Sequence, residues 1–197
     1  MKKLFYATKN KYKIQTMKDR LAGLNIELIT PYDINISVID VDENASSVEE
    51  NAVLKAKAYY DKIQMPIIAG DSALYVEKFD KQPGLFVRRV NGRYLEDDEL
   101  EEYYINRLNE IGGKSYAYYI TGLAIINEGV VKTVEIKEDK FILTSNICDG
   151  ERQNDALGRL EYDPVLNKYF CEKTEEDKRK NSKLFDKQCI KFILENI

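Results

Sequence analysis

Residues 65–76 read MPIIAGDSALYV, an apolar run interrupted at Gly70-Asp71-Ser72, so one carboxylate stands where a buried strand should end. Ligands gather beyond the carboxyl ends of strands in open α/β sheets, which makes Asp71 a candidate catalytic group, although Asp and Gly also make ordinary turns. Two stretches of the chain add chemistry around it. Lys3 to Ala7 (KLFYA) reads as a strand, and Asn10 to Leu24 carries Ile14, Met17, Leu21 and Leu24 at helical spacing. The Thr8-Lys9-Asn10-Lys11-Tyr12-Lys13 turn between them aims free backbone N–H groups and the positive end of the helix dipole at one spot, which suits a phosphate. Read structurally, Asn10 is a helix N-cap and the lysines form a solvated face. The turn lacks GxxxxGK[ST] and is no Walker P-loop. In Val41 to Tyr60 (VDENASSVEENAVLKAKAYY), Ser47 and Glu50 have capping-box spacing and open an alanine-rich helix that carries Lys55. Glu43 precedes that helix in a loop, where a carboxylate can reach a metal.

The elements that must position these groups alternate between strand and helix without repeats or low-complexity linkers. Leu100, Tyr103, Tyr104, Leu108 and Ile111 form a helical stripe stopped by Gly112-Gly113. Ser115 to Ile126 and Val130 to Thr144 flank Asn127-Glu128-Gly129 and predict a long antiparallel hairpin. Thr174 and Asp177 open a final helix whose Leu184, Gln188, Cys189, Phe192 and Ile193 face inward. On a strand, Tyr116, Tyr118 and Tyr119 read as core or interface filling rather than as a platform for stacking bases. The result is a mixed α/β protein with an elongated, twisted central sheet flanked by helices in two lobes, a single domain over residues 1–197.

Composition narrows the function. A net charge of −4 disfavours a general nucleic-acid binder, whose footprint is a basic patch. With a mean hydropathy of −0.47 and no long apolar run, a membrane span is not expected. The apolar stretch of MKKLFYATKNKYK is too short for a signal peptide, so the cytoplasm is the expected compartment. Three cysteines, Cys148, Cys171 and Cys189, lack CxxC spacing and argue against a disulfide scaffold and a structural zinc site. The absence of histidine removes imidazole-based nucleophile activation and the common imidazole metal sites.

Five segments, ATKN-KYK (Ala7 to Lys13), EENAVLKA (Glu49 to Ala56), GDSALYV (Gly70 to Val76), QPGLFVRR (Gln82 to Arg89) and LEYDPVL (Leu160 to Leu166), occur in this order across almost the whole chain. Together they resemble the inosine triphosphate pyrophosphatase family, also called Ham1-like, whose motifs are ATxNxxKxxE, ENAxxKA, DDSGL, PGxxSAR and GFGYDP. The resemblance implies Mg²⁺-dependent hydrolysis of unusual purine nucleoside triphosphates such as ITP, dITP and XTP between the α and β phosphates. It also implies a homodimer with the nucleotide in an active-site cleft between two lobes. Mg²⁺ prefers hard oxygen ligands and takes one or two protein carboxylates plus phosphate oxygens. By resemblance Glu43 and Asp71 are that pair, and Asp71 also orients the attacking water. Lys55 and Lys13 match phosphate-binding lysines, with Thr8, Asn10 and Ser72 as polar groups around the triphosphate. In this arrangement metal and lysines neutralise charge that develops on the phosphoryl oxygens.

The departures from the family pattern concern mainly the base. Gly70 replaces the first Asp of DDSGL, Ala73 its Gly, and Thr16 the Glu that ends the first motif. Leu160 and Glu161 replace the Phe and Gly of GFGYDP, and Leu184-Phe185-Asp186 stands where the family has Ser-His-Arg. Neither Phe nor Asp can make the hydrogen bonds of an Arg or His that reads a purine carbonyl. Tyr162, Asp163, Phe185 and Lys180 are the candidates for rebuilt base contacts. Three readings are open: a pyrophosphatase for unusual purine nucleotides, a Maf-like or divergent pyrophosphatase for pyrimidine or modified nucleotides, and a catalytically weak nucleotide-binding protein.

Overall fold

The computed structural model describes residues 1–34, 36–37, 39, 41–152, 156–174, 176–177 and 183–197. The chain divides into two compact units, residues 1–72 with 120–137 and 184–197, and residues 73–119 with 138–183.

In the first unit, β1 (Lys2–Tyr6) lies parallel to β2 (Ile26–Ile29) and to the start of β3 (Ile67–Val76). Next to β3 is β7 (Lys114–Asn127), which pairs antiparallel with β8 (Val130–Lys137). The hairpin expected from the sequence is therefore present, closed at Glu128-Gly129, where both residues have positive φ. The start of β3 and the second half of β7 are apolar on both sides because both sides are covered, whereas β8 is largely exposed. Leu4, Tyr6, Ile68, Leu123 and Ile125 pack with Ile14, Met17 and Leu21 of α1 (Lys11–Leu21) and with Cys189, Phe192 and Ile193 of the last helix, α4 (Lys183–Asn196). On the other side, Phe5, Ile67, Ala69, Ala124 and Ile126 pack with Ala52, Ala56 and Tyr59 of α2 (Val48–Ile63). In α4 the prediction for Leu184 and Gln188 is corrected. Both are exposed, and the buried stripe is Cys189, Phe192 and Ile193. Burial raises the Cys189 thiol to about 11, so it stays protonated.

In the second unit, the end of β3 pairs with β4 (Gln82–Gly84), and the start of β7 pairs with β9 (Phe141–Thr144). Beyond β9 lie β10 (Glu161–Asp163) and β11 (Lys168–Tyr169), while β5 (Arg89–Val90) and β6 (Arg93–Tyr94) form a separate two-stranded ribbon. The helix α3 (Asp97–Glu110) is opened by a Glu96–Glu99 capping box. It is stopped at Gly112 and Gly113, whose φ values are +92° and +80° and which only glycine adopts without strain. The α3 stripe Leu100, Tyr104 and Leu108 packs on Leu74, Val76, Ala117, Phe141 and Leu143.

Of the three tyrosines expected as core or interface filling, Tyr116 is 51% exposed and so not core, whereas Tyr118 stacks on Tyr75 and Tyr119 on Phe141 with ring centroids 5.3 and 5.5 Å apart. The reading of the cysteines is corrected. Cys148 and Cys171, 23 residues apart, are joined as a disulfide, and Gly150 packs against it, since a Cβ there would lie a tight 3.1–3.2 Å from both sulfurs.

Gly122 on β7 sets the approach of α2 in the first unit. A Cβ at this position would stand 2.5 Å from the Glu49 amide nitrogen and from the Val48 carbonyl carbon, both backbone atoms at the start of the helix. Gly122→Ala should therefore push α2 off the sheet and cost about 1–3 kcal/mol, read as a lower midpoint in urea unfolding; an unchanged midpoint would disprove the close approach.

Candidate active site

Strand alternation decides which face each β3 residue serves. Ile67 and Ala69 face α2, so Asp71, two residues further, faces α2 as well. Gly70 points the opposite way, and a Cβ there would meet Leu123 Cδ2 at 3.0 Å. An acidic residue at this position would therefore project to the other side of the sheet from Asp71.

Helix α2 supplies the partners. Ser47 caps it, with its hydroxyl accepting the Glu50 N–H at 3.2 Å. The Glu50 carboxylate reaches one residue further back than the expected box and accepts from the N–H and the hydroxyl of Ser46, at 3.0 and 2.7 Å. One turn into the helix Asn51 and Lys55, four residues apart, share the face that looks at β3. The Lys55 ammonium uses all three of its donors. It lies 3.0 Å from Asp71 Oδ1, 2.7 Å from Glu43 Oε2 and 3.3 Å from the Gly70 carbonyl oxygen. The Asn51 Nδ2 donates to Asp71 Oδ2 at 2.9 Å, while its Oδ1 accepts the Ala45 N–H at 3.1 Å. The structure thus brings Glu43, Lys55 and Asp71 to one point, and it adds Asn51, which the sequence reading missed. The signal for Asn51 was its spacing of four residues from Lys55 inside the same motif.

Burial of Asp71 favours the neutral carboxyl, yet the Lys55 ammonium, the Asn51 and Lys55 hydrogen bonds and the charge of Lys13 outweigh it and hold the group below the usual carboxylate range. Lys13 is therefore close enough to act electrostatically on Asp71. Its own backbone N–H is taken by the Asn10 side chain at 3.0 Å, so Asn10 is the N-cap of α1. Thr8 Oγ1 accepts the Asn10 N–H at 3.2 Å and shapes the same turn. The Ser72 hydroxyl shares a 2.8 Å hydrogen bond with Thr121.

The remaining candidates lie elsewhere. In the second unit, Asp163 is buried, accepts the N–H groups of Val165 and Leu166 at 2.9 and 3.1 Å, and pairs with Lys173 at 2.7 Å. Tyr162 donates to Asn167 and sits edge-on to Tyr169. Phe185 lies under the Arg20 guanidinium, 4.7 Å from ring centroid to carbon, and Asp186 accepts from the same guanidinium. Lys180 falls outside the described residues.

Among the described residues no group of three His, Cys, Asp or Glu side chains is placed to hold a metal. Two hard oxygen donors, Glu43 and Asp71, do converge, which is the number of carboxylates Mg²⁺ commonly takes when phosphate oxygens and water complete its shell. The donor set fits that ion.

The sequence predicts that a strand ends at Asp71, but β3 runs through it from Ile67 to Val76, so the carboxylate stands in mid-strand. Fold and cluster define a class: a mixed α/β protein in which a helix lysine meets a mid-strand aspartate and a loop glutamate. Residues 4–186 match the model of the Ham1 family. A dITP/XTP pyrophosphatase of Oceanobacillus iheyensis is 31% identical over 189 residues, covering 93% of this chain and 91% of that protein. One from Halalkalibacterium halodurans is 28% identical over 192 residues, covering 92% and 93%. Among solved structures, the Staphylococcus aureus Ham1 protein superposes with a TM-score of 0.68 at 25% identity, over 95% of this chain and 98% of that one. A HAM1 protein from Coxiella burnetii, at 20% identity, shares the fold with a TM-score of 0.75 over 99% of this chain and 100% of that one. The chain belongs to the Ham1 family.

The depressed Asp71 carboxyl has a stability consequence whose sign follows from linkage. A carboxyl held below its unfolded value, about 3.9, contributes stability that is present above that pH and is lost as the pH falls through the lower folded value. Asp71→Asn should leave the protein folded at neutral pH and flatten the acid side of its stability profile, measured as urea midpoints between about pH 2 and pH 6. A variant profile with the wild-type slope in that range would show that Asp71 carries none of it.

Proposed function

We propose that this protein is a nucleoside triphosphate pyrophosphatase that hydrolyses ITP, dITP and XTP to the monophosphate and pyrophosphate. The observation that carries the reading is the meeting of Glu43 and Asp71 on the Lys55 ammonium, 2.7 and 3.0 Å from its nitrogen. Membership of the Ham1 family and the names of the relatives, dITP/XTP pyrophosphatases, support the substrate class.

The chain's own residues suit the reaction. The first turn of α1, with Lys13, offers backbone N–H groups and positive charge to a polyphosphate. Thr8 and Asn10 are the polar groups of that turn, and Ser72 follows Asp71 in the middle of β3. Lys55 can neutralise phosphoryl oxygens, and Asp71, kept ionised, can accept a hydrogen bond from the attacking water and orient it. Mg²⁺ held by Glu43 and Asp71 would supply further neutralisation of the charge that builds on the phosphate oxygens. Tyr162 and Asp163 remain part of the proposal as groups on the base side. The reading includes a homodimer as the assembled form, which the family resemblance implies, and the cytoplasm as the compartment. No helix of the described residues is long and apolar enough to cross a membrane.

Pyrophosphate release from ITP, XTP, dITP, UTP, dTTP and ATP, each with Mg²⁺, tests the assignment. Turnover of ITP, dITP or XTP well above ATP is expected; turnover confined to UTP and dTTP would move the protein to a pyrimidine-directed pyrophosphatase, and saturable binding without hydrolysis would make it a nucleotide-binding protein. In the same assay Asp71→Asn should lower kcat by at least about 100-fold, as loss of a charged group acting on the transition state does. Lys13→Ala should raise KM about 10-fold or more, the scale of one charged hydrogen bond. Wild-type constants in either variant would remove that residue from the site.

A further inference from the structure

We infer that Asn51 is a positioning residue that holds the two carboxylate-bearing segments, the Glu43 loop and the Asp71 stretch of β3, at a fixed separation through its one carboxamide. The inference rests on the proposed pyrophosphatase reading and goes beyond it by assigning a role to a side chain that touches neither phosphate nor base.

The geometry is specific. Asn51 is 2% exposed and on the first turns of α2. Its Oδ1 accepts the N–H of Ala45, two residues after Glu43, at 3.1 Å, and its Nδ2 donates to Asp71 Oδ2 at 2.9 Å. The other Asp71 oxygen is engaged by Lys55 at 3.0 Å. A carboxylate held at one oxygen by an ammonium still turns about its own axis; held at both oxygens it does not. The Ala45 N–H also fixes which way round the amide sits, because only the oxygen can accept it. The donor end therefore always faces Asp71.

No other side chain of this length offers an acceptor at one end and a donor at the other. An aspartate would turn an oxygen toward Asp71, and a leucine of similar volume would offer nothing to either neighbour. Through Asn51 the loop that carries Glu43 and the strand that carries Asp71 are braced against the same helix turn that presents Lys55. Partners of this kind set the orientation of the groups that do the chemistry, and their loss commonly costs about 10- to 100-fold in activity.

The test compares Asn51→Leu, which keeps the bulk, with Asn51→Ala, which does not. If Asn51 positions the carboxylates, kcat for the preferred triphosphate falls about 10- to 100-fold in both variants and KM stays within about threefold. Thermal melting should separate them, with the leucine variant the more stable of the two because it leaves no cavity. A packing role predicts the reverse pattern, with kcat following stability, so near-wild-type kcat in Asn51→Leu would overturn the inference. Loss of cooperative melting in both variants would make Asn51 a folding requirement and overturn it too. A crystal structure of Asn51→Leu gives a readout without turnover: displacement of the Asp71 carboxylate from Lys55, or of the Ala45 segment, is expected, and an unmoved cluster would refute the brace. Absence of triphosphate hydrolysis by the wild-type protein would instead refute the pyrophosphatase reading, with the crystallographic comparison still deciding the brace.

Discussion

The site is organised around one half-buried ammonium. The Lys55 and Asp71 side chains are only 16% and 14% exposed, and at that depth a charge without a partner is costly while a matched pair is tolerated. Lys55 is matched twice over, by Asp71 and by Glu43, with the Gly70 carbonyl as its third acceptor. Each carboxylate needs the ammonium as much as the ammonium needs them. One positive and two negative side chains leave the cluster with a net negative charge, and the Lys55 ammonium, with the Asn51 hydrogen bond, offsets the burial of Asp71 and holds that carboxyl below the usual range.

That ammonium reaches its partners only if α2 lies close to the sheet. The helix presents Ala52 and Ala56, and the strands answer with Ala69 and Ala124, so small side chains fill the interface where Leu or Phe would hold the backbones further apart. Gly122 removes the last obstacle at the first turn of the helix. The alanine-rich character of residues 51–58, which reads at first as helix propensity, is then also a statement about distance: it places Asn51 and Lys55 within hydrogen-bond reach of the Asp71 carboxylate in mid-strand.

Much of this was legible in the sequence, for reasons that differ from residue to residue. Asp71 announced itself because a carboxylate interrupts an apolar run, and Glu43 because no capping role explained it. Gly70-Asp71-Ser72, read as the end of the strand, lies inside β3. The hairpin, the double-glycine stop after α3 and the Ser47 cap are local features, set by turn and capping chemistry that a few adjacent residues contain. Asn51 was hidden because its partners, Ala45 and Asp71, lie on two different segments and its own surroundings read as helix. The pairing of Cys148 with Cys171 was hidden for the same reason, since spacing does not determine connectivity. Tyr116 shows what alternation leaves open: period two places it with Tyr118 on one side of the strand, but does not tell whether anything covers that side.

The positions where this chain departs from the Ham1 motifs are not loose ends. Leu160 is fully buried among Leu143, Leu157 and Tyr104 of its unit, and Glu161 accepts the Tyr119 hydroxyl at 2.6 Å. Asp186 takes the Arg20 guanidinium, which also covers Phe185. Partners come from other elements, the Arg20 guanidinium from α1 for Asp186 and the Tyr119 hydroxyl from β7 for Glu161 Oε1, whereas the buried Glu161 Oε2 is left without a hydrogen bond among the described residues. Buried polar atoms are nearly always hydrogen-bonded, so Glu161 carries a desolvation cost that its tyrosine only partly offsets. The residues that replace the family's motif positions are thus built into the packing of their own units, Leu160 and Glu161 in the second and Phe185 and Asp186 in the first.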